Sequence, residues 1–245
     1  MIKIYYSLKL IIDIGNTTTK LALFDGKELN KHKVVDRLTL KTVQKFVLLN
    51  KVSSTILSSV KNINEEFSEV INEFNAIVLS EKNSLPIENH YTNPTSLGND
   101  RLAAVVGASV LYPQKDVLVF DAGTCLTIDF INSDKEYVGG RISPGIEMRY
   151  NALHTFTDKL PLIKSEKKGL VIGNDTRTSI ISGVQQGILA EVKAVISEYK
   201  SQNKDTVFVF TGGDSFYFEQ ALKNSIFVIP NLVLIGLNEI LDYNE

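Results

Sequence analysis

Leu10–Phe24 (LIIDIGNTTTKLALF) and Val117–Ile131 (VLVFDAGTCLTIDFI) carry one pattern twice. Each is an apolar run, an aspartate, any residue, a glycine, a threonine-containing turn and a second apolar run. Laying Asp13 on Asp121 also lays Gly15 on Gly123 and Thr19 on Thr127, more agreement than two unrelated strands would show. The repeat predicts two related halves, residues 1–115 and 116–245, divided near Pro113–Asp116. Each half opens with a hairpin. In the first, Lys20–Phe24 forms the second strand, and Asp25-Gly26 turns the chain into a third near Leu29–Val35. In the second, Thr127–Ile131 leads through the polar turn Asn132–Lys135 to a short strand at Tyr137-Val138.

Helical spacing appears elsewhere. Leu102, Val105, Val106 and Val110 share one face, with Asn99 and Asp100 in front and Pro113 as the stop. A longer stripe runs from Ile180 through Val184, Ile188 and Val192 to Ile196, entered through Asn174, Asp175 and Thr176. Val207–Phe210 reads as a buried strand ending in the turn TGGD, Ile226–Ile229 as a short strand, and Leu232–Leu241 as a closing helix.

Composition narrows the partners. The 245 residues are 44% hydrophobic and 22% charged, an ordinary globular balance. The 26 basic and 28 acidic residues are dispersed, which excludes a phosphate-backbone footprint and makes nucleic acid and membrane unexpected partners. A single cysteine, Cys125, excludes an internal disulfide framework and fits a reducing, cytoplasmic setting. Lysines interrupt the apolar start MIKIYYSLK, so it does not read as a signal peptide. His32, His90 and His154 show no ligand spacing and read as surface or packing residues.

Three segments could carry chemistry. In DIGNTTTK, Asp13–Lys20, Gly15 permits close backbone approach, and the N–H and hydroxyl groups of Asn16, Thr17, Thr18 and Thr19 could surround a polyphosphate, with Asp13 holding hydrated Mg²⁺. The structural alternative is a hairpin with a polar turn. No GxxxxGK[ST] occurs, so a P-loop is excluded. In LGNDR, Leu97–Arg101, the first-turn acid Asp100 complements the helix dipole and could be a cap or a proton acceptor. Arg101 could pair with a carboxylate or phosphoryl group. GGRISPG, Gly139–Gly145, is a tightly specified loop serving either substrate approach or packing.

Taken in order, DIGNTTTK, Tyr91 with Pro94 and LGNDR, DAGT, GGRISPG, GNDTR and FTGGD resemble the type III pantothenate kinases along nearly the whole chain. The resemblance implies an α/β protein of two ribonuclease-H-like (actin-like ATPase) domains, with mixed sheets flanked by helices. It implies a homodimer that phosphorylates pantothenate in the first committed step of coenzyme A synthesis, using ATP, Mg²⁺ and a monovalent cation, K⁺ or NH₄⁺. Carried over by position, Asp13, Ile14, Gly15, Asn16, Thr17, Thr18, Thr19 and Lys20 match the ATP phosphate loop, and Thr124 a further ATP contact. Asp100 matches the catalytic proton acceptor; Tyr91, Gly98, Asn99, Asp100 and Arg101 match pantothenate contacts; Asp121 matches the monovalent-cation ligand. Thr176 matches a substrate contact expected from the partner subunit. Three departures stand out: the chain carries extra residues before its first hairpin, Cys125 stands where alanine is commoner, and Asp158 in HTFTDKLP stands where a small residue is usual. The alternatives are a kinase of another small hydroxylated metabolite, or an inactive nucleotide-binding regulator.

Overall fold

The computed structural model describes residues 7–48, 50–164, 171–223 and 225–245. The chain divides into two compact units, one of Met1–Gln114, Asp134–Val138 and Asn231–Glu245, the other of Lys115–Ser133 and Gly139–Pro230.

In the first unit, strands β1 (Ser7–Ile14), β2 (Thr19–Asp25) and β3 (Glu28–Val35) form an antiparallel meander. Helix α1 (Leu40–Val47) leads to β4 (Lys51–Ser59), and α2 (Glu65–Glu73) leads to the short β5 (Ile77–Val78). Both added strands run parallel to β1, giving the sheet order β3-β2-β1-β4-β5. The two-residue strand β6 (Glu88–Asn89) follows, then α3 (Asn99–Leu111). In the second unit β7 (Val117–Ala122) and β8 (Cys125–Ile131) form the second hairpin, and the chain continues into β9 (Glu136–Pro144). Helices α4 (Ile146–Thr155) and α5 (Thr176–Gln202) precede β10 (Val207–Thr211), α6 (Ser215–Leu222) and β11 (Phe227–Val228), and α7 (Leu232–Tyr243) closes the chain within the first unit.

The internal repeat extends to topology. From β9 to β11 the second sheet reads β9-β8-β7-β10-β11, matching β3-β2-β1-β4-β5 place for place, with β10 parallel to β7 as β4 is to β1. The hairpins differ by one residue. Asp13 pairs with Lys20, but Asp121 pairs with Thr127, so Thr19 and Thr127 do not occupy the same register. The cause is the turn: the Gly15 N–H donates to Thr18 O at 3.0 Å, whereas the Gly123 N–H reaches only to Cys125 O, at 2.9 Å.

The apolar run of β1 is continuous because helices cover both faces of its sheet. Leu10, Ile12 and Ile14 join Leu21, Leu57, Val43 and Phe67 in one core, while Ile11, on the other face, is equally buried. Each such side chain contributes roughly 1.5–3 kcal/mol. Helix α7 packs on β1, where Lys9 is paired with Asp242, and lies against α3 at very close range. A Cβ on Gly236 would stand 1.8 Å from Ala103 O, and one on Gly107 would stand 2.5 Å from Leu232 O. Glycine at these points lets the two helix backbones touch. In the second unit the stacked rings of Phe120 and Phe210, 4.3 Å apart, centre a core with Ile128, Tyr150, Ile180 and Phe218.

Among the described residues no helix is long and apolar enough to cross a membrane. The strand at Tyr137-Val138 is longer than its sequence suggested. β9 runs through GGRISP to Pro144, so most of the segment read as a loop is extended strand, with the turn confined to Gly145. Of the residues before the first hairpin, 7–9 extend β1, and the others lie outside the described residues.

Candidate active site

In the first unit, the end of β1 delivers Asp13, which is 7% exposed, beside the fully buried Ser58 of β4. Gly15, Asn16, Thr17 and Thr18 form the hairpin apex. Gly15 spends its own N–H on Thr18 O, and Asn16 and Thr17 stand exposed at the tip. Thr19 is buried again, and Lys20 returns alongside Asp13. Ile14 and Thr19 also border a cavity of about 330 Å³ lined by Arg37, Lys61 and Glu66. Arg37 is occupied there by Glu66, Nε to Oε2 at 3.1 Å. Sequence reasoning missed Arg37 and Lys61, which come from the loops after β3 and β4 and carry no local signal.

A second group gathers around the start of α3. Gly98 is the N-cap, and Asp100 lies in the first turn, its Oδ1 accepting from the Arg101 N–H at 2.8 Å. A Cβ on Gly98 would stand 2.6 Å from that same oxygen, so the carboxylate folds back over the glycine. Asn99 is anchored instead, its side-chain amide donating to Leu79 O at 2.9 Å. The Arg101 guanidinium is buried against Tyr91: its carbon lies 5.6 Å from the ring centre, and Nη1 reaches the Tyr91 hydroxyl at 3.5 Å. Tyr91 stacks in turn on the buried Tyr137, centroids 6.1 Å apart and planes within 4°. Tyr91, Gly98, Asn99, Asp100 and Arg101 thus form one neighbourhood, although ten residues of sequence separate its ends. A cationic guanidinium next to a hydroxyl and a carboxylate can orient a polar acidic substrate.

In the second unit two glycine motifs converge on DAGT. A Cβ on Gly212, whose φ is +87°, would strike Ala122 O at 2.3 Å and Asp121 Oδ1 at 2.4 Å. One on Gly145 would strike Gly123 O at 2.2 Å, and the Gly145 N–H donates to Thr124 O at 3.1 Å. TGGD and the SPG turn therefore press on the DAGT turn from two sides, which explains why they must be glycine-rich. The Asp214 N–H donates to Ala122 O at 2.9 Å, bringing Asp214 to the same turn. Burial, and secondarily the charge of Glu147, push its carboxyl above the ordinary carboxylate value. Asp121 and Asp214 both lie at this turn, and Glu147 is close enough for its charge to act on Asp214. Glu147 escaped the sequence reading; its signal was an acid in a first helical turn, straight after SPG. Thr176 stands apart from this turn, exposed at the start of α5. Its neighbour Asp175 closes a capping box with Thr178, whose N–H and hydroxyl hold that carboxyl below its ordinary value.

Two mixed sheets that share a five-strand order, each with an acidic hairpin turn, are the architecture of the ribonuclease-H-like (actin-like) fold. Solved structures agree on the fold. An inorganic polyphosphate/ATP-glucomannokinase from Arthrobacter sp. strain KM matches with a TM-score of 0.50 at 14% identity, over 98% of this chain and 100% of its own. A Campylobacter jejuni protein named for the Baf family of transcriptional activators matches with a TM-score of 0.63 at 24% identity, over 96% of this chain and 98% of its own. Residues 9–198 match the family model for type III pantothenate kinase, and the type III pantothenate kinase of Cytophaga hutchinsonii is 43% identical over 97% of this chain and all of its own. The chain belongs to the type III pantothenate kinase family.

Proposed function

We propose that this protein transfers the γ-phosphoryl group of ATP to the primary hydroxyl of pantothenate, giving 4'-phosphopantothenate and ADP. The observation that carries the reading is the family match over residues 9–198, which contains every motif segment from the Asp13 hairpin to the GNDTR segment ending at Arg177.

In this reading the hairpin Asp13–Lys20 receives the phosphates of ATP, with Thr124 as a further contact. Tyr91, Gly98, Asn99 and Arg101 hold pantothenate, the Arg101 guanidinium facing its carboxylate. Asp100 orients the acceptor hydroxyl and takes its proton as the oxygen–phosphorus bond forms and the bond to the bridging oxygen of ADP breaks. A carboxylate suffices as base because the transition state is loose and positioning outweighs basicity. Bound Mg²⁺ supplies charge neutralisation on the phosphates; Asp13 is the residue that would hold it, and Asp121 would hold the monovalent cation. Thr176, exposed at a helix start, suits a substrate contact made across a homodimer. We assign the enzyme to the cytoplasm, where its single cysteine stays reduced.

Titrating pantothenate against the protein with ATP and Mg²⁺, with and without K⁺, tests this directly. ADP release should saturate with pantothenate and rise with K⁺. ADP release independent of pantothenate, with turnover of another hydroxylated acceptor, would redirect the reading to a sister kinase. No turnover of any acceptor, with ATP still bound, would point to a regulator.

A further inference from the structure

Two-residue strand β6 pairs in parallel with the start of β9, Glu88 beside Glu136 and Asn89 beside Tyr137. Registered partners project from the same face of a sheet, so this pairing sets two carboxylates side by side, an arrangement that repels unless a cation lies between them. His90, two residues beyond Glu88, returns to that face. Its backbone N–H donates to Tyr137 O at 3.0 Å, and its Nε2 stands 3.2 Å from Glu88 Oε1 and 3.8 Å from Glu136 Oε1. All three ligand atoms lie within 4.8 Å of one another.

We propose that Glu88, His90 and Glu136 form a surface site for a divalent transition metal of the Zn²⁺ type. One imidazole nitrogen with two carboxylate oxygens is a donor set for zinc that leaves a position for water. Zinc ligands at about 2.0–2.2 Å from the ion stand roughly 3.3–3.5 Å apart, and His90 Nε2 lies 3.2 Å and 3.8 Å from the two carboxylates. The site is open to solvent, with the His90 side chain 47% exposed, so an ion has free entry. A bound ion joins β6 to β9 beyond their two registered pairs and steadies the segment that continues into Tyr91. None of this depends on the reaction the protein catalyses.

The test is a Zn²⁺ titration of nucleotide-free protein in competition with a chromophoric chelator, comparing wild type with His90→Ala and Glu136→Gln. Both side chains stand at the surface, so the substitutions should leave the fold intact, to be checked by circular dichroism. Wild type should take up one equivalent at micromolar free Zn²⁺, and each variant should bind at least about tenfold more weakly. No uptake by wild type, or binding that survives either substitution, overturns the site.

Discussion

Gly98 lies directly under the Asp100 carboxylate: a Cβ at 98 would sit 2.6 Å from Oδ1. The atom in the way is the tip of a side chain, so Gly98→Ala should be absorbed by displacing that carboxylate, with the fold preserved. Turnover should drop about 10–100-fold while the melting temperature stays within a degree or two, as befits a misplaced catalytic group. Steady-state kinetics beside thermal melts check this; normal turnover would detach Gly98 from the site.

Asp100→Asn keeps the shape and removes the base. Turnover should fall by about 10²–10⁴-fold, with ATP binding nearly unchanged. Calorimetric titration with a non-hydrolysable ATP analogue separates the two effects, and near-normal turnover would remove Asp100 from the proton-accepting role.

Two helical glycines should respond in opposite directions. At Gly236 the obstacle is backbone, Ala103 O at 1.8 Å, so Gly236→Ala forces α7 off α3. The loss should be about 1–3 kcal/mol, outweighing any gain in helix propensity. Gly183 in α5 faces open space, and Gly183→Ala should stabilise by roughly 0.5–1 kcal/mol. Urea unfolding of the two variants measures both.

The raised Asp214 carboxyl makes a prediction about pH. Its folded value lies above its unfolded one, so its contribution to stability is fully present at acid pH and is lost as pH rises through the folded value. Asp214→Asn should therefore match wild type in acid and exceed it in melting temperature at neutral pH, in the absence of nucleotide and metal. Melts taken every half unit of pH reveal the divergence; parallel curves would show that burial does not burden this group.

Much of this architecture was legible in the chain. The Asp13 and Asp121 repeats foretold two hairpins because a hairpin is a local structure, written in alternation and turn residues. Helices α3, α5 and α7 were legible from their stripes and flanking residues. What escaped was set by contacts between distant segments. The amphipathic stripes of helices α1 and α2 are written in the chain, but the places of those helices and of strand β4 come from packing around β1. GGRISP suggested a loop because glycine and proline disfavour strands, yet pairing within the sheet overrides that preference. The meeting of Gly212 and Gly145 on the DAGT turn, and of His90 with Glu136, had no sequence signal at all, since each joins residues far apart in the chain. For the candidate site, Asp100 and its neighbours were visible as a motif, whereas the Tyr91–Tyr137 stack that backs Arg101 was not.

Helix α7 belongs to the first unit although it is the last element of the chain. During synthesis β1 is therefore made before the second unit but obtains its covering helix only after the whole of that unit has been made. Until then Ile11 and the glycine faces of α3 have nothing to pack against, and nascent chains are exposed to association through that sheet face. Removing α7 would cost far more than a tail: it would leave β1 and α3 without the helix packed on both.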